Sequence, residues 1–257
     1  MKRYLPVFCF LFLFIVRPVA ANYQTARADF TYQYSQYRGA HDRYQVAKSS
    51  YLTYRTLTAQ TEAIASLRLV VQARDQVIFS YYDLLQEKLN ATPGVSVNYQ
   101  TTFSDVKANE KTWLAAHQKT IDAAASLEDL NNVSREFEDR YPEFDTETKQ
   151  AFGTVLLAKE ATLRVGTDAL IDSLNTNLVR LRQDGASTTF ADRGLISIKD
   201  KLGLYDQKMT AARVVFFSKN TRDPISVFVG QQRLSEANQY LREALTQFRE
   251  IIKSITG

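Results

Sequence analysis

Heptad repeats run through almost every long segment of this chain, and they constrain its fold more than any other feature. The most regular series are Tyr23, Phe30, Tyr37, Tyr44 and Tyr51, which we call the aromatic ladder; Leu195, Leu202, Met209 and Phe216; and Val227, Leu234, Leu241, Phe248 and Ile255. A spacing of seven places side chains on one face of a helix that packs against another helix, whereas a strand needs a spacing of two. The sequence therefore predicts an all-α fold, an elongated antiparallel helical bundle of coiled-coil hairpins with five or six helices and no sheet.

Turn signals between these repeats are sparse, since the 257 residues include only nine Gly and five Pro. Between residues 22 and 90 the single candidate breaker is Gly39, and one interior Gly costs a helix only about 1 kcal/mol relative to Ala. We therefore predict one very long N-terminal helix of roughly 100 Å. The other predicted boundaries are turns at Thr92-Pro93-Gly94, Tyr141-Pro142 and Asp184-Gly185, capping boxes at Ser126 with Asp129 and at Thr189 with Asp192, and N-caps at Asp145 and Asp223.

The aromatic ladder alternates with smaller residues, which lets two helix backbones approach closely. The intervening positions hold Ala26, Gln33, Ala40 and Ala47. After Tyr54 the apolar series shifts by one residue and the apolar face becomes wider, which suits the middle of a bundle. We predict that residues 22–56 form a protruding arm of the helical bundle that spans residues 22–257. The alternatives are an arm that folds back at Gly39 and an arm that lies along the last helix.

Residues 1–21 have the pattern of an export signal, with two basic residues before an apolar run over residues 5–16. Twelve apolar residues are too few to cross a bilayer as a helix, which takes about 20. We therefore expect a signal peptide that is cleaved after Ala21 and an extracytoplasmic protein, either secreted or in the cell envelope. The alternative is an uncleaved membrane anchor formed by residues 4–16, because a basic residue and a proline separate the apolar run from the cleavage position.

The charge balance does not indicate a nucleic-acid partner. The chain has 32 basic and 28 acidic residues, but three of the basic residues lie in the leader, which leaves 29 against 28 in the mature part. Charges of both signs are interspersed, with no basic stripe that contains aromatic residues. The single cysteine, Cys9, also lies in the leader, so the mature chain would have no disulfide and no thiolate for catalysis or metal binding.

No catalytic or nucleotide-binding motif is present in the sequence. His41 and His117 each lie four residues after an aromatic residue, and neither belongs to a recognisable set of zinc ligands. The acidic residues between 136 and 147 lack the order of a calcium-binding loop and predict a solvated turn. We therefore expect a non-enzymatic protein with no cofactor and no metal.

The N-terminal tyrosines are the candidate interaction surface. The candidates are Tyr23, Phe30, Tyr32, Tyr34, Tyr37, Tyr44 and Tyr51. Packing alone explains the ladder as a half-exposed helical interface, so Tyr32 and Tyr34, which lie off the ladder, are the better candidates for exposed contact. We expect a structural or interaction protein that binds another protein or itself through helical seams. The alternative is a helical ligand-binding or sensor-like module that its N-terminal segment anchors to a membrane.

Overall fold

The computed structural model describes residues 19–218 and 225–256, and all regular secondary structure in these two ranges is helical. The helices are α1 Val19–Tyr54, α2 Leu57–Ala91, α3 Val97–Ala123, α4 Leu127–Gln183, α5 Thr189–Phe217 and α6 Ile225–Thr256. The all-α prediction is therefore confirmed. The leader up to residue 18 and the predicted N-cap at Asp223 lie outside the described residues.

Helix α4 joins two bundles. It has 57 residues, which corresponds to about 85 Å at 1.5 Å per residue. Residues 127–155 of α4 pack with α2 and α3, and α1 packs along α2; we call these elements the first bundle. Residues 152–183 of α4 pack with α5 and α6 in the second bundle, so the two bundles overlap at residues 152–155. Within the described ranges, no helix is long and apolar enough to cross a membrane.

The very long N-terminal helix is not found, because residues 22–90 form two helices. Helix α1 ends at Tyr54, Arg55 has a positive φ of 50°, and Thr56 caps α2 by accepting a hydrogen bond from the Ala59 amide at 3.2 Å. The one-residue shift in the apolar series marks this break. The chain therefore reverses direction at Arg55 and not at Gly39, and α1 lies along α2 and not along the last helix.

The predicted helix end at Tyr141-Pro142 is wrong, because α4 continues through Pro142. An interior proline removes one hydrogen bond and costs about 3 kcal/mol. Phe137 and Phe144 on either side are 4% and 1% exposed in the core of the first bundle, and burial of these rings offsets that cost. Asp145, which we predicted to be an N-cap, therefore lies inside the helix.

Other predicted boundaries are correct. The Ser126 hydroxyl accepts from the Asp129 amide at 3.0 Å and the Asp129 carboxylate accepts from the Ser126 amide at 2.9 Å, which completes the capping box. Helix α4 ends before Asp184 and Gly185, where the φ of Gly185 is 84°. Helix α5 begins at Thr189, but the predicted capping box is wrong. The N-cap is Thr188, whose hydroxyl donates to the Asp192 carboxylate at 2.9 Å and accepts no hydrogen bond from a backbone amide of the first turn.

One aromatic ring packs between α4 and α6 in the second bundle. Phe216 is fully buried, and its ring fills the space beside two glycines. A Cβ atom would lie 2.5 Å from Phe216 if it were added to Gly153 in α4, and 2.7 Å from the ring if it were added to Gly230 in α6. Residues of the two later heptad series line the same core, including Leu195, Leu202, Leu234 and Leu241.

Candidate interaction surface

The aromatic ladder packs against α2 and is half-buried. The Phe30 ring lies 5.2 Å from the Tyr81 ring between centroids, and the Lys88 ammonium lies 4.4 Å above the centre of the Tyr23 ring. Tyr44 packs on a core cluster at the other end of α2. The small positions between them are also covered, since Ala40 and Ala47 are buried. Helix α2 therefore covers one side of the ladder along the length of α1.

Tyr32 and Tyr34 lie off the ladder and are exposed, at 58% and 48%. Tyr34 stacks on Phe30 with ring centroids 6.2 Å apart, so it borders the packed side of α1. Tyr32 is different, because it lies on the side of α1 opposite to α2. No described helix other than α2 approaches the backbone of α1, which leaves the surroundings of Tyr32 open.

The side of α1 that is turned away from α2 is almost uncharged. We call it the outer face of α1; its positions are Thr25, Ala28, Tyr32, Ser35, Gly39, Asp42, Val46, Ser49 and Thr53, and all of them are exposed. Only one of these nine residues carries a charge. By contrast, an exposed stripe along α6 has three charges in eight residues, at Phe228, Gln231, Ser235, Gln239, Arg242, Thr246, Arg249 and Lys253. Solvent-facing stripes of helices are normally charged, so the outer face of α1 is atypical.

The α1–α2 hairpin extends beyond the rest of the first bundle. Arg68 donates to the carbonyl oxygen of Ala124 at 2.5 Å, and Gln72 donates to the carboxylate of Asp122 at 2.8 Å. These contacts place the turn between α3 and α4 beside residues 68–72 of α2. Leu67 and Ile64 still pack on the core cluster at this end, so residues 57–63 of α2, together with the paired end of α1, project about 10 Å further at 1.5 Å per residue.

Buried charged groups link the three inner helices of the first bundle. The carboxylate of Asp75 in α2 accepts from His117 Nδ1 of α3 at 2.5 Å, and the carbonyl oxygen of Val133 in α4 accepts from His117 Nε2 at 3.0 Å. Both ring nitrogens therefore donate, as in an imidazolium. Burial by itself would lower the pKa of His117, but the hydrogen bonds to Asp75 and Val133 outweigh it and raise this pKa above its ordinary value.

This Asp–His pair has no means of reaching a substrate. Asp75 and His117 are 1% and 3% exposed, and the second nitrogen of the ring is already bonded to a backbone carbonyl. General acid–base catalysis needs a ring nitrogen within reach of the reacting group. The pair therefore connects helices, and Trp113 covers it by stacking on His117 with ring centroids 4.8 Å apart.

A second set of charged groups lies further along α4. Arg140 donates to Glu110 of α3 at 2.5 Å and also pairs with Glu143 one turn along α4. Tyr82 of α2 donates to the carboxylate of Glu147. Burial raises the pKa of Glu147, and the hydrogen bond from Tyr82 opposes that rise. The acidic segment that we predicted to be a solvated turn is therefore helical, but four of its six acidic residues are exposed and the other two, Asp145 and Glu147, are half-buried.

One groove contains convergent polar groups. It lies between α4 and α6, where the Asn238 amide donates to the Glu160 carboxylate at 2.9 Å. The other Glu160 oxygen is buried and has no hydrogen-bond partner among the described residues. Among the residues that the structure describes, no three potential metal ligands lie close enough together to hold a metal ion. Two further shallow grooves include residues of the outer face of α1: one lies around Tyr32, and one lies between Val46 and residues 62–66 of α2.

We compared the sequence and the fold with those of known proteins. A scan against protein-family models, a search of curated proteins and a search of solved structures each found no match to this chain.

Proposed function

We propose that this protein is an exported, non-enzymatic interaction protein of the cell envelope or extracellular space, which binds a helix of another protein or of a second copy of itself through the outer face of α1. The observation that carries this proposal is the long exposed stripe with one charge in nine residues. A stripe with a single charge has few groups that must lose water when another helix covers it, so covering it costs little free energy of desolvation.

The outer face also has the shape that a helix partner needs. Tyr32 and Val46 are 58% and 72% exposed and lie two heptads apart, while Ala28, Ser35 and Gly39 between and beside them are small. A Cβ atom added to Gly39 would meet nothing within 4 Å. Small residues let a second backbone come close, and the larger side chains then pack beside it, which is the alternation that α1 already uses toward α2.

The rest of the molecule supports a role in holding this face in place. Helix α4 runs through both bundles without a break at Pro142. A continuous helix of about 85 Å fixes the distance between the two bundles. The export half of the proposal rests on the leader, where basic residues, a short apolar run and small residues follow one another.

The experiment is a double substitution on the outer face, Tyr32→Glu with Val46→Glu. Both side chains are exposed, so the fold and its far-UV circular dichroism should not change. Two carboxylates that must lose water against a partner helix should weaken association more than about tenfold. Sedimentation velocity measures association between copies. The matched control is Ile196→Glu with Val214→Glu on α5, where the side chains are 63% and 66% exposed.

A partner of different sequence needs a second measurement. A photo-crosslinking amino acid at position 32, in the native host, should form one adduct that Val46→Glu abolishes, whereas the same amino acid at position 196 should not form it. If the outer-face variant associates as the wild type does, and position 32 gives no adduct that depends on Val46, the proposed docking face is wrong.

One observation favours the second candidate function, a helical ligand-binding module. The groove between α4 and α6 holds the Glu160 oxygen that has no partner among the described residues, beside Asn238 and Arg242. A ligand with a hydrogen-bond donor would satisfy that oxygen. Glu160→Gln should then abolish the increase in melting temperature that a ligand from a compound screen produces. A ligand whose effect survives this substitution does not bind in the groove.

A further inference from the structure

The end of the α1–α2 hairpin exposes large apolar side chains. We call residues 52–57 the hairpin tip. Leu52, Tyr54 and Leu57 are 60%, 70% and 79% exposed, and Leu57 is the most exposed large hydrophobic residue in the described part of the chain. Three such side chains on one short turn form an apolar cap at the extreme end of the hairpin. Exposed apolar patches of this kind usually mark a surface that is covered in the working state of a protein.

The apex of the hairpin tip is basic. Between Asp42 and Glu62 the sequence has three cations and no acidic residue. The cations are Arg43, Lys48 and Arg55, which are exposed and form no ion pair with any described residue. Arg55 occupies the apex itself, between the apolar side chains of Tyr54 and Leu57. Arg43 lies further from the apex, in a groove with Asp42 and Glu62, so the tip combines an apolar cap with the positive charges of Arg55 and Lys48.

The position of the tip suits a flat surface. Because the hairpin projects about 10 Å beyond the turn between α3 and α4, a plane can contact the tip without meeting that turn. Helix α1 has 36 residues, so its N-terminal end lies about 54 Å away at 1.5 Å per residue. Contact at the tip is thus spatially separate from the first turns of α1 and from most of the outer face.

We infer that the hairpin tip docks on the surface of an anionic lipid bilayer. Leu52 and Leu57 enter the boundary between headgroups and acyl chains, and Tyr54 lies at the level of the headgroups, where its ring and hydroxyl both find suitable surroundings. Arg55 and Lys48 contact lipid phosphates. A bilayer presents negative charge around the inserted tip, which fits Arg55 at the apex and Lys48 on the adjoining turns of α1.

A fluorophore at the tip tests this inference directly and separates it from any binding by the leader. The protein is the full chain with Cys9→Ser and Leu57→Cys, labelled with a polarity-sensitive dye. The probes are vesicles of phosphatidylglycerol mixed with phosphatidylcholine in equal parts, and vesicles of phosphatidylcholine alone. The control carries the same dye at Ile196→Cys, which is an exposed apolar position in the second bundle.

We expect the fluorescence emission of the dye at position 57 to shift to the blue when anionic vesicles are added. Neutral vesicles should cause no shift at position 57, and neither kind of vesicle should cause a shift at position 196. Adding Lys48→Glu and Arg55→Glu should weaken the response more than tenfold, because each basic residue near an anionic surface contributes about fivefold to binding. Lys199→Glu, an exposed charge reversal on α5, should leave the response unchanged. Raised salt should weaken it as well.

Three results would overturn the inference: no shift at position 57 with anionic vesicles, an equal shift with neutral vesicles, or a response that survives the two charge reversals. A dye at position 57 that stays in water with every vesicle but is covered by a protein partner would assign the tip to protein binding instead. The far-UV spectrum of each variant confirms that the helices are intact.

Discussion

The two bundles of this protein bury different kinds of side chain. The first bundle buries four ionisable residues, Asp75, Glu110, His117 and Lys149, none of them more than 4% exposed. In the described part of the second bundle no acidic or basic residue is buried to this extent. Its buried residues with polar side-chain groups are Thr167, Thr188 and Tyr205, whose hydroxyl donates to the carbonyl oxygen of Glu160 at 2.8 Å. Its ion pairs, such as those from α5 to α6 at Lys201–Glu243 and Lys208–Glu236, lie at the partly exposed edges of the seam.

This difference shows two ways of joining helices in one chain. A repeated apolar seam is stabilised by burial alone, and neighbouring heptads offer similar packing. A buried set such as Asp75, His117 and the carbonyl of Val133 fits only one alignment of three helices, but its stability depends on the protonation of its members. We therefore expect the first bundle to respond to pH and the second to depend almost entirely on packing.

The largest effect is expected from placing a charge in the second bundle. Leu202 is 4% exposed in an apolar core, so Leu202→Asp buries a carboxylate without a partner and should cost about 4 kcal/mol or more. Urea denaturation followed by far-UV circular dichroism measures the loss. Ile196→Asp on the exposed side of the same helix should change stability by less than about 0.5 kcal/mol. An unchanged midpoint for Leu202→Asp would mean that this seam is not a core.

Removing one member of the buried pair in the first bundle should have the next largest effect. Asp75→Ala leaves His117 without its carboxylate and should cost about 3 to 5 kcal/mol. Replacing both by Leu should recover much of that loss, because an apolar pair needs no partner. Trp113 is the only tryptophan and stacks on His117, so its fluorescence reports unfolding of the first bundle. Full additivity of the two substitutions would show that the pair is not coupled.

A smaller loss of stability should follow from raising the pH. The pKa of His117 is raised in the folded state, so its contribution is fully present below about 6.5 and is lost as the pH rises through the folded pKa. The loss is smaller than for Asp75→Ala, because deprotonation leaves Asp75 beside Gln118 at 3.2 Å and Arg74 at 3.8 Å.

The pH dependence can be assigned to His117 by substitution. The raised pKa of Glu147 also makes the free energy of unfolding fall as the pH rises, but this fall begins at about pH 4.5. His117→Leu should therefore flatten the change in stability above about 6.5 and leave the change at lower pH in place. The Trp113 signal follows the first bundle in urea at each pH. Equal pH dependence in wild type and His117→Leu would contradict the assignment.

The sequence predicts the seams well because burial of large apolar side chains has a visible period. Leu195, Leu202 and Leu241 are buried as the heptads indicate. The break at Arg55 was missed because neither Arg55 nor Thr56 is a strong turn residue, although the one-residue shift in the apolar series was a usable signal. The continuation of α4 through Pro142 depends on burial of Phe137 and Phe144 by other helices, which local sequence does not contain.

The candidate surfaces were only partly predictable. Spacing explains why the ladder packs and why Tyr32 is exposed, but the identity of the covering helix depended on where the chain reverses. The buried charges left a weak signal, since Glu110 and His117 continue the heptad of Phe103 in α3. A polar residue in an apolar series predicts a buried partner. It does not reveal that the partner of His117 is Asp75, 42 residues earlier.

The smallest expected effect separates stability from association on the outer face of α1. Gly39 lies inside α1 with open space around its missing Cβ, so Gly39→Ala should stabilise the isolated chain by about 0.5 to 1 kcal/mol. The added methyl group lies where a partner helix would approach most closely, so the same substitution should weaken association.

Gly203→Ala is a matched control, because Gly203 is also an exposed interior glycine with nothing within 4 Å. That control should stabilise α5 similarly and leave association unchanged. Sedimentation velocity and urea denaturation on both variants give the two quantities independently, and if Gly39→Ala stabilises the chain without weakening association, a partner helix does not pack against the middle of this face.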